Sequence, residues 1–360
     1  MRIRDGLEEK IQGYELYWKR EAVDRPLLGF DISGFDFFKR FRSFQGDDAP
    51  ERLTPESLNP GDFLDDYQRF YQDSTQVKDD FIKGVSPVPS LPWAELMLGC
   101  DNKLSPGSIW ALERNASWGE LENVGFDPNN PWVIKYLDFL AALAKLGGEL
   151  YPVSQPIIRG ISDLHGALRG HYQSLFDLMD EPELCKELFD RLVDFLLGLF
   201  NLQAKRIPPF KGGYSQEMYG LWAPDVFVRI QEDATANYSP KLCEELLLEP
   251  ERRLAAAFPY TMIHLHNSSL FLLDLFLQIE DINCFQINMD TTGMTLAEEM
   301  PYLQKVQQAK RCMLLRGNYS LEDLKLIKNH LDPSGLAVQT VLSSVEEAER
   351  YRIVLDKLWP

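Results

Sequence analysis

No stretch of this 360-residue chain comes near the roughly 18 consecutive apolar residues of a membrane span. The opening Met1-Arg2-Ile3-Arg4-Asp5 has no apolar signal core, so a cytoplasmic protein without a membrane partner is expected. Basic residues are scarce: 37 Lys and Arg stand against 55 Asp and Glu, and the formal charge of −18 repels nucleic acid and anionic lipid. The densest basic run, Lys39-Arg40-Phe41-Arg42, reads as a solvated helix face. The five cysteines are odd in number, widely spaced and without a CxxC pair, which excludes a disulfide framework or a cysteine-rich zinc module and suits buried free thiols. Nucleotide and protease signatures are missing too: no GxGxxG turn, P-loop, HExxH helix or GxSxG elbow occurs.

What is present is alternation. Residues 1–20 carry Leu7, Ile11, Tyr14 and Trp18 at helical spacing, and Arg25-Pro26 ends that segment. Leu27 to Ile32 reads as a first strand, and 45–92, rich in Asp and Pro, as a helical excursion. A helix over 131–147 ends at Gly147-Gly148, and Tyr151 to Ile161 reads as a strand leading into a helix capped by Ser162 or Asp163. Residues 207–224, with Tyr214, Tyr219 and Trp222, fit no helix and form either packing or a lid. From 226 onward strand and helix alternate five times, the last helix capped at Ser343 or Ser344. About eight strands with crossover helices predict an α/β protein, a single (β/α)8 TIM barrel over 27–360 preceded by an N-terminal helix in 1–26.

The chemistry gathers at Tyr260-Thr261-Met262-Ile263-His264-Leu265-His266-Asn267. Strand side chains alternate faces, so His264 and His266, two of only five histidines, point the same way at the C-terminal end of a strand, where barrel enzymes keep their catalytic groups. Other strand ends supply Asp31, Glu232, Asp233, Gln286, Asp290, Arg316, Asn318 and Gln339. Two imidazoles beside carboxylates suit acid–base work, or a divalent metal with an open position. A pair of hydrogen-bonded core histidines is the plain structural alternative. Asp233, His264, His266 and Asp290 are the catalytic candidates, and Asp31, Tyr214, Trp222, Glu232, Asn267, Gln286, Arg316 and Asn318 the candidates for substrate binding. Metal binding requires neutral imidazoles, so affinity is expected to fall as pH drops through about 6.5.

Residues 150–345 resemble the uroporphyrinogen decarboxylase superfamily, with a weaker likeness over 1–110. The likeness rests on Gly160-(x)5-Gly166-Ala167-Leu168-Arg169-Gly170, Gln231-Glu232-Asp233-(x)5-Ser239-Pro240, Ile263-His264-Leu265-His266, Asp290-Thr291-Thr292-Gly293 and Arg316-Gly317-Asn318, in this order. The resemblance implies a (β/α)8 barrel with its site at the C-terminal mouth, a homodimer, and either decarboxylation in haem synthesis or methyl transfer between corrinoid proteins and thiols. The decarboxylase branch carries an arginine-rich motif after the first strand, where this chain has Asp31-Ile32-Ser33-Gly34-Phe35. Ser90 stands at that branch's catalytic aspartate, and its late histidine is missing from Val338-Gln339-Thr340-Val341. In the methyltransferase branch zinc sits on His-x-Cys and a later Cys. Here His264 is kept, His266 replaces the cysteine, and no late cysteine exists. The resemblance thus implies a methyltransferase-like enzyme, with zinc on His264, His266 and a carboxylate such as Glu232 or Asp290, and a corrinoid carried by a partner protein. A decarboxylase-like lyase on a tetrapyrrole or smaller carboxylic acid, and a non-catalytic ligand-binding barrel, are the alternatives.

Overall fold

The structure, a computed structural model, describes residues 4, 6–32, 41, 51–105, 108–290 and 292–359. Lys39, Arg40, Arg42 and Thr291 lie outside the described residues. Ten strands are present among those described: β1 (Leu27–Ile32), β2 (Asp101–Ser105), β3 (Ser108–Leu112), β4 (Tyr214–Gln216), β5 (Leu221–Ala223), β6 (Phe227–Gln231), β7 (Tyr260–His266), β8 (Cys284–Asn288), β9 (Cys312–Gly317) and β10 (Leu336–Leu342). Six of them form one sheet in the order β1-β10-β9-β8-β7-β6, every pair parallel. The other four make two small antiparallel hairpins, β2–β3 and β4–β5. Helices cross between the sheet strands, as parallel pairing demands. No helix among the described residues is long and apolar enough to cross a membrane.

The expected strand at 151–161 is absent, and so is any regular strand in 77–92. Prolines explain this: Pro87, Pro89, Pro92, Pro152 and Pro156 remove ladder donors from both segments. The two segments nevertheless lie extended beside the sheet. Asp80 donates its N–H to the Leu28 carbonyl at 2.9 Å, and the Asp79 and Asp80 carboxylates accept from the N–H groups of Phe30 and Leu28. Val85 and Pro152–Ser154 exchange a pair of backbone bonds. Gln155 then brackets Arg229 on β6, its amide donating to the Arg229 carbonyl and accepting from the Arg229 N–H. Side chains take the place of missing ladder bonds, and hydrogen bonds run from β1 to β6 through both segments.

Strand alternation divides the interior into two cores. Leu28, Val228, Ile230, Ile263, Leu265, Phe285, Ile287, Leu315 and Val338 face the helices. Leu27, Phe227, Met262, Cys284, Cys312, Leu314 and Ala337 face the other way, against Tyr14 and Tyr17 of the first helix and against Phe81, Tyr219 and Trp222. That inner filling needs room: a Cβ on Gly29 would lie 2.2 Å from the Phe81 ring. The β4–β5 hairpin is held inside by Gly220, whose carbonyl accepts from the Tyr14 hydroxyl, and by Trp222, whose carbonyl accepts from Trp18 Nε1 at 2.7 Å. All five cysteines are buried and free.

Candidate functional site

The same alternation carries polar side chains onto the inner face further up the strands. The register sets His264 beside Gln231 and Gln286, and His266 beside Asn288, which in turn neighbours Arg316, and Arg316 neighbours Gln339. Asp31, next to last in β1, lies beside Val341. Asp233 follows β6 two residues after Gln231 and so returns to the same face.

His264 and His266 meet edge to face, their Nε2 atoms 3.1 Å apart. The other nitrogen of each ring is engaged. His264 Nδ1 contacts the side-chain oxygen of Gln286 and lies 3.2 Å from the Tyr219 hydroxyl, while His266 Nδ1 lies 2.9 Å from both oxygens of Asp290. Asp290 is steadied by Asn288, whose amide donates to it at 2.6 Å. An amide oxygen and a carboxylate can only accept, so each Nδ1 donates, which leaves the two Nε2 atoms to share a proton or to turn their lone pairs to a common cation. Asp233 Oδ1 completes the triangle, 3.9 Å from His264 Nε2 and 3.7 Å from His266 Nε2, and has no hydrogen-bond partner among the described residues. Its other oxygen accepts from Gln231. Burial first, and the Arg229 charge second, push the His264 imidazole well below its ordinary value, so this ring stays neutral.

Three acceptors converge on one point, and something positive belongs there, a shared proton or a metal ion. The geometry fits a metal. A point equidistant from the three atoms lies roughly 2.1 Å from each, the length of a Zn–N or Zn–O bond. Asp290 and Gln286 occupy the outer positions that orient imidazole ligands.

Glu232, expected as a ligand, is elsewhere. Its carboxylate accepts from the N–H groups of Ile161 and Ser162 at 2.8 and 2.7 Å and so caps the helix Ile161–Arg169, in place of the expected Ser162 or Asp163. It fits under Gly160, where a Cβ would lie 1.7 Å from its oxygen. Burial and the neighbouring Glu251 drive its carboxyl well above the ordinary range, a poor state for holding a cation. Alternation gives the reason: in a strand running through Arg229 and Gln231, residue 233 points inward and 232 outward. Asp163 accepts from the N–H groups of Asp233 and Ala234 and pins the turn that carries Asp233.

Of the remaining candidates, Asp31 pairs with Arg316, and Arg316 also reaches the Asn288 oxygen at 3.4 Å. Gln286 is buried against His264. Asn267 donates to the Thr292 carbonyl at 3.3 Å and shares a second hollow with Asp290. Trp222 is a packing residue instead, its Nε1 donating to the Phe210 carbonyl at 2.9 Å. Tyr214 pairs with Ala223 within the hairpin and packs against the core, and Asn318 is exposed. None of these three lines that hollow or the larger cavity lined by Asp31 and Arg316 among the described residues.

The sequence reading missed Glu217. A cavity of about 370 Å³ opens at the other side of the sheet's inner face, bounded by β9, β10 and β1 and lined by Phe30, Asp31, Phe70, Glu217, Arg316 and Gln339, among others. Glu217 sits deep in the protein, part of its surface free on the cavity, with the Ser86 hydroxyl 3.1 Å away, and burial raises its carboxyl to about 7. The folded state therefore holds this proton more tightly than the unfolded chain does. Its contribution to stability is full below about 4.5 and is lost as pH rises to about 7. Glu217→Gln should flatten the fall in unfolding free energy between pH 5 and 7.5, by on the order of 1–2 kcal/mol in urea titrations.

No family model matches the chain, and no curated protein matches it in sequence. Among solved structures, a methyltransferase from Methanosarcina mazei is similar in fold, with a TM-score of 0.65 over 96% of this chain and 97% of that one, at 11% identity. At that identity the likeness speaks for the fold.

Proposed function

We propose that this chain is a methyltransferase-like enzyme of the uroporphyrinogen decarboxylase superfamily, built as a (β/α)8 barrel over residues 27–360 in which two of the eight staves are irregular. The observation that carries the reading is the unpartnered Asp233 Oδ1 facing two imidazole lone pairs. The likeness in fold to the Methanosarcina mazei methyltransferase and the segments that resemble the superfamily support it. Asp233, His264 and His266 would hold the metal, whose charge would favour the thiolate form of a substrate thiol and so the nucleophile for a methyl group. Such a site is harder than a cysteine-rich one. The chain's own residues set the stage. Gln286 and Tyr219 fix the His264 ring, Asp290 orients His266, and Asp163 positions the Asp233 turn. The cavity bounded by β9, β10 and β1 receives the organic part of a small-molecule substrate. A corrinoid carried by a partner protein as methyl donor, and a homodimer, belong to the same proposal.

A metal-free reading has one observation in its favour: the 3.1 Å Nε2–Nε2 separation also suits a single proton shared between the rings. The histidines would then do acid–base work for a decarboxylase-like lyase. The test is metal content and methyl transfer together. Protein purified without chelator or a histidine tag should carry near-stoichiometric zinc and accelerate demethylation of methylcobalamin by a small thiol, followed by the change in corrinoid absorbance. Metal-free protein that leaves methylcobalamin untouched, yet releases carbon dioxide from a tetrapyrrole carboxylate, would decide for the lyase.

A further inference from the structure

The cavity bounded by β9, β10 and β1 has polar groups that the metal reading does not use. Gln339 is 3% exposed, and its amide nitrogen donates to the Met218 carbonyl at 3.2 Å, which fixes the orientation of the amide. The side-chain oxygen therefore points away from that carbonyl, and it has no partner among the described residues. Met218 follows Glu217 directly, and both Glu217 and Gln339 line the cavity. The two cations of the lining are committed elsewhere. Arg316 is held by Asp31 and Asn288, and Lys83 by Asp79 at 2.7 Å and the Phe30 carbonyl at 3.1 Å. Glu217 bonds the neutral Ser86 hydroxyl and feels Lys83 only through space, without a direct ion pair among the described residues. Most of the remaining wall is apolar, with Phe30, Ile32, Phe70, Val77, Ile157 and Val341 beside the hydroxyls of Ser74 and Ser90, and the volume lies in the range of small-molecule sites, about 300–1,000 Å³.

We propose that this cavity binds a protonated amine carried on a compact apolar body, its ammonium group received by Gln339 Oε1 and the Glu217 carboxylate. An ammonium group supplies the donors that both acceptors lack and the counter-charge that Glu217 lacks. A neutral apolar guest leaves both unsatisfied, a cost of about 1–3 kcal/mol for each buried group. An anionic guest finds one unpartnered donor, Arg316 Nε, but meets the Glu217 and Asp31 carboxylates in the same lining. This assigns a substrate class to the face proposed above as the working face and rests on that reading for its use, but the binding itself needs no metal.

The test is calorimetric titration of the full chain with benzylamine, benzyl alcohol and benzoate, three probes of one shape and different charge. Benzylamine should bind at least tenfold tighter than the alcohol. Glu217→Gln and Gln339→Met should each weaken benzylamine by roughly 10–100-fold, the worth of a hydrogen bond to a charged group, and leave the alcohol unchanged. Glu217→Gln keeps the shape of the side chain, so it carries the test if the Gln339 variant does not fold. His264→Ala should bind benzylamine as the parent does, which separates this inference from the metal reading. Equal affinity for amine and alcohol, tighter binding of benzoate, or no binding of benzylamine would each overturn it.

Discussion

Zinc affinity should fall by more than about 100-fold in His264→Ala, His266→Ala and Asp233→Ala, while Glu232→Gln stays within a few-fold of the parent. The size follows from rank: loss of an outer partner costs about 10–100-fold, and loss of a ligand must exceed that. Asp290→Asn removes the carboxylate that orients His266 and belongs in the lower range. Competition with a chromophoric chelator measures all five variants on one scale. Glu232→Gln is the sharp control, because Glu232 adjoins Asp233 in sequence yet caps a helix on the other side of the strand. Equal zinc affinity in the parent and the three alanine variants would remove the metal, and the pair would stand as a proton-sharing dyad.

Acid should weaken binding, because a protonated imidazole has no lone pair to give. The onset for His264 lies below the ordinary histidine range, since burial and Arg229 keep that ring neutral well under 6.5. The expectation of a loss through 6.5, drawn from free histidine, does not hold for this ring.

Period-two alternation made the histidine pair legible, because it needs only the local chain. Carried two residues past the end of β6, the same rule separates Asp233 from Glu232. The sequence reading treated both as candidates because it did not count from Arg229 and Gln231. The two irregular segments were harder to read. Their apolar residues mark buried extended chain, but the prolines within them decide that no ladder forms, and the substitutes are carboxylates and an amide far away in sequence. Glu217 carried no local signal. It lies in a hairpin with three-residue strands, and only packing inside the sheet gives it burial and a cavity.

Those substitutes are where the fold is most exposed to a single change. Asp80 is fully buried, forms an ion pair with Arg25, itself 3% exposed, and accepts the Leu28 N–H at 2.9 Å. Arg4 also reaches it at 3.4 Å. One carboxylate thus neutralises a buried guanidinium, satisfies a strand N–H that has no ladder partner, and ties the N-terminal helix region to β1. Asp80→Ala removes all three at once and takes this carboxylate from the buried Arg25 guanidinium. Breaking a buried pair from one side costs about 3–5 kcal/mol, a large share of the 5–15 kcal/mol that holds a typical domain together. The variant should unfold at clearly lower urea concentration with an unchanged slope, and proteolysis should reach the 77–92 segment first. Asp80→Asn keeps an acceptor for Leu28 but not the charge, so it should recover only part of the loss. If Asp80→Ala melts with the parent, the link between β1 and its irregular neighbour is not what holds that edge of the sheet.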